Sequence, residues 1–293
     1  MADVRKRLAS NVPGNFFVDG TCINCDACRQ LAPETFSEVG DYSAVVRQPE
    51  KDMECHRAYQ ALLACPVGSI GTEHRDKAQV QAAMASFPLA VSEEVWYCGF
   101  NSEKSFGANS FFIRHPDGNW LVDSPRYLKH LIEAFDRMGG VRYIFLTHED
   151  DVADAARYAA RFKASRIIHR EDSHAMPDAE WIVEGEKALG LGDRLAAIPV
   201  PGHTPGSMAL LYRGRFLFTG DHLWWDAVGR TLEAPRELVW DRAALLRSIE
   251  KLAAYDFEWV LAGHGDRICF PIEQMRIHIQ ALAARRRPVY LSR

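Results

Sequence analysis

The chain has no run of about eighteen apolar residues, so nothing in it reads as a helix that spans a bilayer. The first residues also lack the apolar core of a secretory signal. Charge of one sign is scarce: 35 Lys and Arg stand against 39 Asp and Glu, a formal net charge of −4. No overall field draws such a chain to nucleic acid or to an anionic membrane, and neither is expected as a partner. Repeats and low-complexity tracts are absent too, which removes solenoids and disordered tails. A cytoplasmic location follows as the expectation. Cysteine is sparse and odd in number, seven in 293 residues, which argues against a disulfide framework and for a reducing compartment.

What is present is an ordinary globular composition, 47% hydrophobic and 25% charged, in a chain long enough for a small domain and a medium one. The pattern changes near residues 78–90. Residues 1–80 are rich in cysteine and turns, with a helix expected near His56–Leu63 ahead of Cys65-Pro66. Residues 91–293 alternate apolar strand candidates with helical stretches, the signal of a layered α/β domain. The strands are expected at Val95–Phe100, Ser110–Arg114, Trp120–Asp123, Tyr143–Thr147, Arg166–His169, Ala196–Val200, Met208–Tyr212, Phe216–Thr219 and Trp259–Leu261. Arg242–Ala254 and Ile272–Arg286 read as amphipathic helices. The basic run Arg285-Arg286-Arg287 closes the second of these, where cations favour the negative end of the macrodipole.

Three of the seven cysteines crowd into Cys22-Ile23-Asn24-Cys25-Asp26-Ala27-Cys28, and Cys65-Pro66 follows at a distance. Two-residue gaps let three sulfurs converge on one side of an iron-sulfur cubane while loop amides point at its sulfides; the distant cysteine closes the cage. In two-cluster ferredoxins a further Cys-Pro follows shortly after the third cysteine and serves the other cluster. Here those two places hold Ala32 and Pro33. The segment therefore resembles a single-cluster bacterial-type ferredoxin over residues 14–75. The resemblance implies one 4Fe-4S cluster on Cys22, Cys25, Cys28 and Cys65. A tetrahedral zinc site on the same thiolates is the alternative, although zinc sites usually present paired CxxC knuckles. Cys55, Cys98 and Cys269 lack such spacing and read as packing residues. Glu34, Glu38 and Asp41 are solvated surface or a docking face for a redox partner.

Downstream, five short segments follow one another: Leu121-Val122-Asp123-Ser124, Thr147-His148-Glu149-Asp150-Asp151, Pro201-Gly202-His203-Thr204-Pro205-Gly206-Ser207, Phe218-Thr219-Gly220-Asp221 and Leu261-Ala262-Gly263-His264. In this order they resemble the metallo-β-lactamase superfamily across residues 91–270. The resemblance implies an αββα sandwich after the small ferredoxin-like domain, α+β overall. It also implies a metal site at one sheet edge, with His148 and His203 matching ligands of a first metal, Asp221 the bridging carboxylate and His264 a ligand of a second. Hydrolytic members carry His-x-His-x-Asp-His, whereas the register from His148 gives Asp150, Val152 and Ala153; a longer register reaches Asp154. Asp150 or Asp154 then adds an oxygen donor, and the surviving set suits one further ion, iron, manganese or zinc, or a metal-free polar network. Asp123 would orient a ligand. Asp221 and His222 are the catalytic candidates, the second as a proton donor or a structural residue. Trp224 and Trp225 offer an apolar wall or core packing, and Arg230 and Arg236 anion contacts.

The leading functional expectation is a redox protein that passes single electrons from the cluster to a partner protein or to a small-molecule substrate. The alternatives are a metal-dependent hydrolase of esters, thioesters or phosphoesters, and a non-catalytic binding protein.

Overall fold

A computed structural model describes residues 2–286, so Arg287 of the basic run lies outside the described residues. The chain divides into two compact units, one of residues 2–144 and 153–164, the other of 145–152 and 165–286. The first unit includes residues on both sides of the seam expected at 78–90.

The first unit begins with a strand at Phe16–Val18 paired antiparallel with Ile70–Thr72, and a hairpin of Phe36–Val39 with Tyr42–Val45. The helix Asp52–Ala64 is longer than expected, because Asp52 and Glu54 in its first turn favour the positive end of the macrodipole. It stops where Pro66 bars the α conformation to the residue before it. Cys65 accordingly turns out at φ −53° and ψ 118°. A second helix, Lys77–Ala85, is capped by the Asp76 carboxylate, which accepts from the amides of Ala78 and Gln79.

An antiparallel meander follows: Leu89–Ala90, Val95–Tyr97, Phe111–Ile113 and Trp120–Val122. These strands are shorter than the apolar runs that announce them. Val95–Tyr97 stops where Gly99 and Phe100 take positive φ, and Trp120–Val122 where Asp123 does at φ 55°. Helices Lys129–Arg137 and Ala155–Phe162 belong to the same unit; Phe135 stacks on Phe112 at 5.1 Å and meets Tyr158 at 5.8 Å. Burying each such side chain contributes about 1.5–3 kcal/mol.

The second unit holds a six-stranded sheet in the order Leu189–Gly192, Leu195–Pro199, Met208–Tyr212, Phe216–Gly220, Trp259–Ala262, Ile268–Cys269. Its one parallel pair joins Phe216–Gly220 to Trp259–Ala262. Helices Arg242–Leu252 and Ile272–Arg286 cover one face with a core of Leu245, Ile249, Met275 and Ile279 against Ile198, Leu217 and Val260. Several strands escaped the sequence reading, among them the two edge strands Leu189–Gly192 and Ile268–Cys269. Trp181–Val183 pairs parallel with Ser165–His169, and Trp224–Asp226 forms a hairpin with Thr231–Glu233. Arg285 ties the last helix to that hairpin, donating to Glu233 Oε1 at 3.1 Å, Thr231 Oγ1 at 2.6 Å and Leu232 O at 2.9 Å. No helix among the described residues is long and apolar enough to cross a membrane.

Candidate functional sites

Cys22, Cys25, Cys28 and Cys65 line one small pocket in the first unit, with Val18, Ile70 and Ser43 beside them. Asn24 and Asp26, between the first three cysteines, both take left-handed backbone conformations, φ 56° and 63°. Asn24 N in this loop lies 3.4 Å from Cys22 Sγ, and in the turn after Cys65 the amide of Ser69 lies 3.3 Å from Cys65 Sγ. Burial pushes the Cys28 thiol up to about 12, opposed by Ser43 and reinforced by the negative charge Cys65 and Cys22 would carry. Cys25 is pushed up for the same first reason. Cys25 and Cys28 resist ionising in this apolar pocket, and with Cys22 and Cys65 beside them the arrangement calls for a cationic centre. The donor set fits a cluster on these grounds.

Gly107 closes over this pocket at φ +89°. A Cβ there would lie 2.7 Å from Cys25 Cβ and 3.0 Å from Pro66 Cγ. Only glycine allows so close an approach in that conformation. The segment carrying it is held by the buried Asn101, which accepts from Tyr97 Oη at 2.6 Å and donates to Gly107 O at 2.6 Å. Among the expected docking residues, Glu38 accepts from Asn24 Nδ2 at 2.9 Å and Glu34 pairs with Arg57 at 3.7 Å, so both have local roles; Asp41 is exposed.

In the second unit His148, His203 and Asp221 converge, their ligand-type atoms within 4.8 Å of one another. Asp221 follows the strand Phe216–Gly220 and His264 follows Trp259–Ala262, so both leave the carboxyl ends of the parallel pair, where open sheets place ligand sites. His264 Nε2 lies 3.8 Å from Asp221 Oδ2, and Asp150 Oδ2 lies 3.3 Å from His203 Nε2 and 3.7 Å from His148 Nε2.

The two imidazoles are oriented from behind. His203 Nδ1 is 2.6 Å from Leu238 O, an acceptor only, so Nδ1 carries the proton and Nε2 presents its lone pair. His148 Nδ1 sits 2.9 Å from Thr147 Oγ1. Both Nε2 atoms are buried without a hydrogen bond, as is Asp221 Oδ1. Buried polar atoms left unpaired are costly, and imidazoles held at Nδ1 with Nε2 turned toward carboxylates are arranged as metal ligands are. The residues fit one metal ion. Electrostatics agree in direction: burial holds His148 below its ordinary value. For His203 burial also acts downward, but the Asp150 and Asp221 carboxylates outweigh it and leave the ring raised. Asp150 is held low, chiefly by His203.

Asp154 is committed elsewhere. Its carboxylate accepts from Lys104 Nζ at 2.8 Å and from Tyr127 N at 2.9 Å, and it is not one of the three grouped residues. His222 is buried with both ring nitrogens unpaired. Burial, with His203 and Lys251 adding, takes it down to about 3, so near neutrality it is a neutral imidazole and not the imidazolium a proton donor would need. Trp225 is core, meeting Phe270 at 5.1 Å and His278 at 5.0 Å, while Trp224 faces the cavity. Arg236 lines that cavity and pairs with Glu233 at 3.7 Å; Arg230 sits exposed in the hairpin turn. Asp123 is buried.

Sequence reasoning missed Asp172. Fully buried, it accepts from Glu149 N at 3.1 Å, Thr204 Oγ1 at 2.5 Å and Gly206 N at 2.7 Å. One carboxylate thus fastens the loop after His148 to the loop after His203. Nothing in the spacing around Arg170-Glu171-Asp172 signals this, because both partners are distant in sequence.

Comparison with known proteins decides the family. Residues 91–284 match the model of the metallo-beta-lactamase superfamily. The chain belongs to that superfamily. Residues 18–72 match the 4Fe-4S single cluster domain of Ferredoxin I, a span that contains all four grouped cysteines. Similar proteins include the Bacillus subtilis (strain 168) uncharacterized protein YobT, 25% identical over 60% of this chain and 90% of its own length. They also include hydroxyacylglutathione hydrolases. That of Xanthomonas campestris pv. campestris (strain B100) is 26% identical over 59% of this chain and 71% of its own length. That of Acidiphilium cryptum (strain JF-5) is 29% identical over 53% and 63%. Among solved structures, DIM-1 metallo-beta-lactamase exposed to ceftazidime superposes with a TM-score of 0.51 at 18% identity, covering 67% of this chain and 95% of that one. This superfamily member thus combines a ferredoxin-type iron-sulfur domain with a lactamase-type sandwich.

Proposed function

We propose that the histidine–aspartate centre binds one metal ion and hydrolyses a small ester or thioester, and that the ferredoxin-type domain carries one 4Fe-4S cluster. The observation that carries the hydrolytic reading is the pair of buried Nε2 atoms of His148 and His203 left without a hydrogen bond, each ring held at Nδ1, beside Asp221. Kinship to hydroxyacylglutathione hydrolases supports the reaction class.

An ion held by His148, His203 and Asp221, with Asp150 and His264 beside it, supplies a Lewis acid and a nucleophile at neutral pH. Replacing imidazole by carboxylate hardens the donor set, which favours iron or manganese relative to the usual zinc. The chain's own residues do the rest. Asp150, largely exposed and held ionised, is placed to accept a proton at the open side. Trp224, Ala234, Pro235 and Leu238 line a cavity of about 510 Å³ and exclude water from an acyl group. Asp226, Glu233 and Glu237 on the same cavity disfavour a polyanionic substrate.

The electron-transfer reading takes second place, favoured by the four-thiol pocket. It assigns the cluster to a redox partner protein rather than to the hydrolytic centre. Free thiols suit a reducing compartment, and a cytoplasmic location is proposed on that ground. Turnover of a thioester panel tests the hydrolytic reading. Activity that persists after the cluster is oxidatively removed, and falls in Asp150→Asn, is the expected result. No turnover by metal-loaded protein on any ester or thioester would refute it.

A further inference from the structure

The helix Asp52–Ala64 delivers the fourth cysteine, and its last carbonyls need partners from outside the helix. Two of them find partners beyond residue 90. Ala64 O accepts from Asn101 N at 3.2 Å, and Leu63 O accepts from Arg126 Nη2 at 2.7 Å. Arg126 is anchored in turn: its amide and its Nε both donate to Phe100 O, at 3.0 and 3.4 Å, and its guanidinium lies 6.0 Å from the Phe100 ring centroid. Arg126 and Cys65 line one cleft, together with Pro66 and Phe100. No carboxylate pairs with Arg126 among the described residues. Burial acts on the guanidinium against its charge, and the largest opposing influence is a Cys65 thiolate.

A helix C-terminus carries partial negative charge, and here it ends one residue before a thiolate ligand. Adding an electron to a cluster there is electrostatically unfavourable unless a cation is at hand. We propose that Arg126, a residue of the lactamase-type sequence, is that cation and raises the reduction potential of the cluster held by Cys65. The inference rests on the 4Fe-4S reading above. Reduction places one electron from a low-potential donor on the cluster, breaks no bond, and increases the negative charge facing the guanidinium. Electrostatic stabilisation of that reduced state is what moves the potential.

Anaerobic full-length protein, titrated with dithionite and followed by the paramagnetic signal of the reduced cluster, reads this directly. Iron and sulfide are measured on each sample. Arg126→Gln, which keeps a donor to Leu63 O but loses the charge, is expected to shift the midpoint to more negative potential. Arg126→Lys keeps the charge and is expected to stay near wild type. A Gln variant loaded with cluster and titrating at the wild-type midpoint overturns the proposal while leaving the cluster reading standing. Absence of iron and sulfide from wild type overturns both. If the Gln variant does not load, the Lys variant decides. Loading with a midpoint near wild type supports the charge, and failure of Lys to load, or a markedly lowered midpoint, overturns it.

Discussion

The two candidate centres of this chain solve opposite problems. The cysteine pocket gathers four soft donors in apolar surroundings, where burial pushes the Cys25 and Cys28 thiols up. The histidine–aspartate centre mixes imidazole and carboxylate donors, two of which, His203 and Asp221, line an open cavity. The four cysteines line a small pocket, whereas His203 and Asp221 border a larger cavity. The thiol site is specified by a local loop, whereas the second is assembled from four loops across more than a hundred residues and needs distant groups to align it.

That contrast predicts different sensitivities. Cys65→Ala should have the largest effect, abolishing cluster iron and sulfide while leaving the metal of the second centre and its thioester turnover in place; elemental analysis beside a turnover assay checks both. Loss of the second metal in that variant would break the separation. Asp172→Asn touches neither metal nor substrate, yet weakens two of the three bonds that align the ligand loops. Metal affinity should fall about 10–100-fold, measured by competition with a chromogenic chelator. An unchanged affinity would mean the loops hold their places unaided.

Gly220→Ala sharpens the comparison at the level of backbone. Gly220 has φ +50°, and a Cβ there would lie 2.5 Å from Thr147 Oγ1, the group that orients His148. A loss of about 1–3 kcal/mol is expected by chemical denaturation, with weaker metal binding. The smallest effect lies away from both centres. Arg166, buried, holds Glu180 down to about 2 from an ordinary value near 4.5, first through their side-chain hydrogen bond. A depressed carboxylate stabilises the fold above its unfolded value and loses that contribution as pH falls. The stability gap between wild type and Glu180→Gln should be about 1 kcal/mol or less at neutral pH, since Glu180 is half exposed. The gap should narrow from pH 4.5 toward 2; a constant gap would contradict the pairing.

The sequence announced nine of the nineteen strands among the described residues, and both long C-terminal helices, because apolar period and turn residues are local signals. It announced the cysteines for the same reason: their spacing lies within seven residues plus one Cys-Pro. Asp150 was legible as a replacement for histidine, and the structure brings it to His203. Asp154 was not, since its commitment to Lys104 depends on a residue fifty positions away. His222 beside Asp221 looked available for proton transfer, but adjacency along a chain says nothing about burial. The short hairpin bearing Trp224 and Trp225 escaped because three-residue strands leave too little periodicity to read.

The most direct test of the account is elemental analysis of anaerobically purified wild type beside His203→Ala. The account predicts about four irons and four sulfides per chain in both, as a 4Fe-4S domain requires, plus about one further metal ion in wild type that is lost from the variant. Iron and sulfide at that level with no further metal in either protein would contradict it.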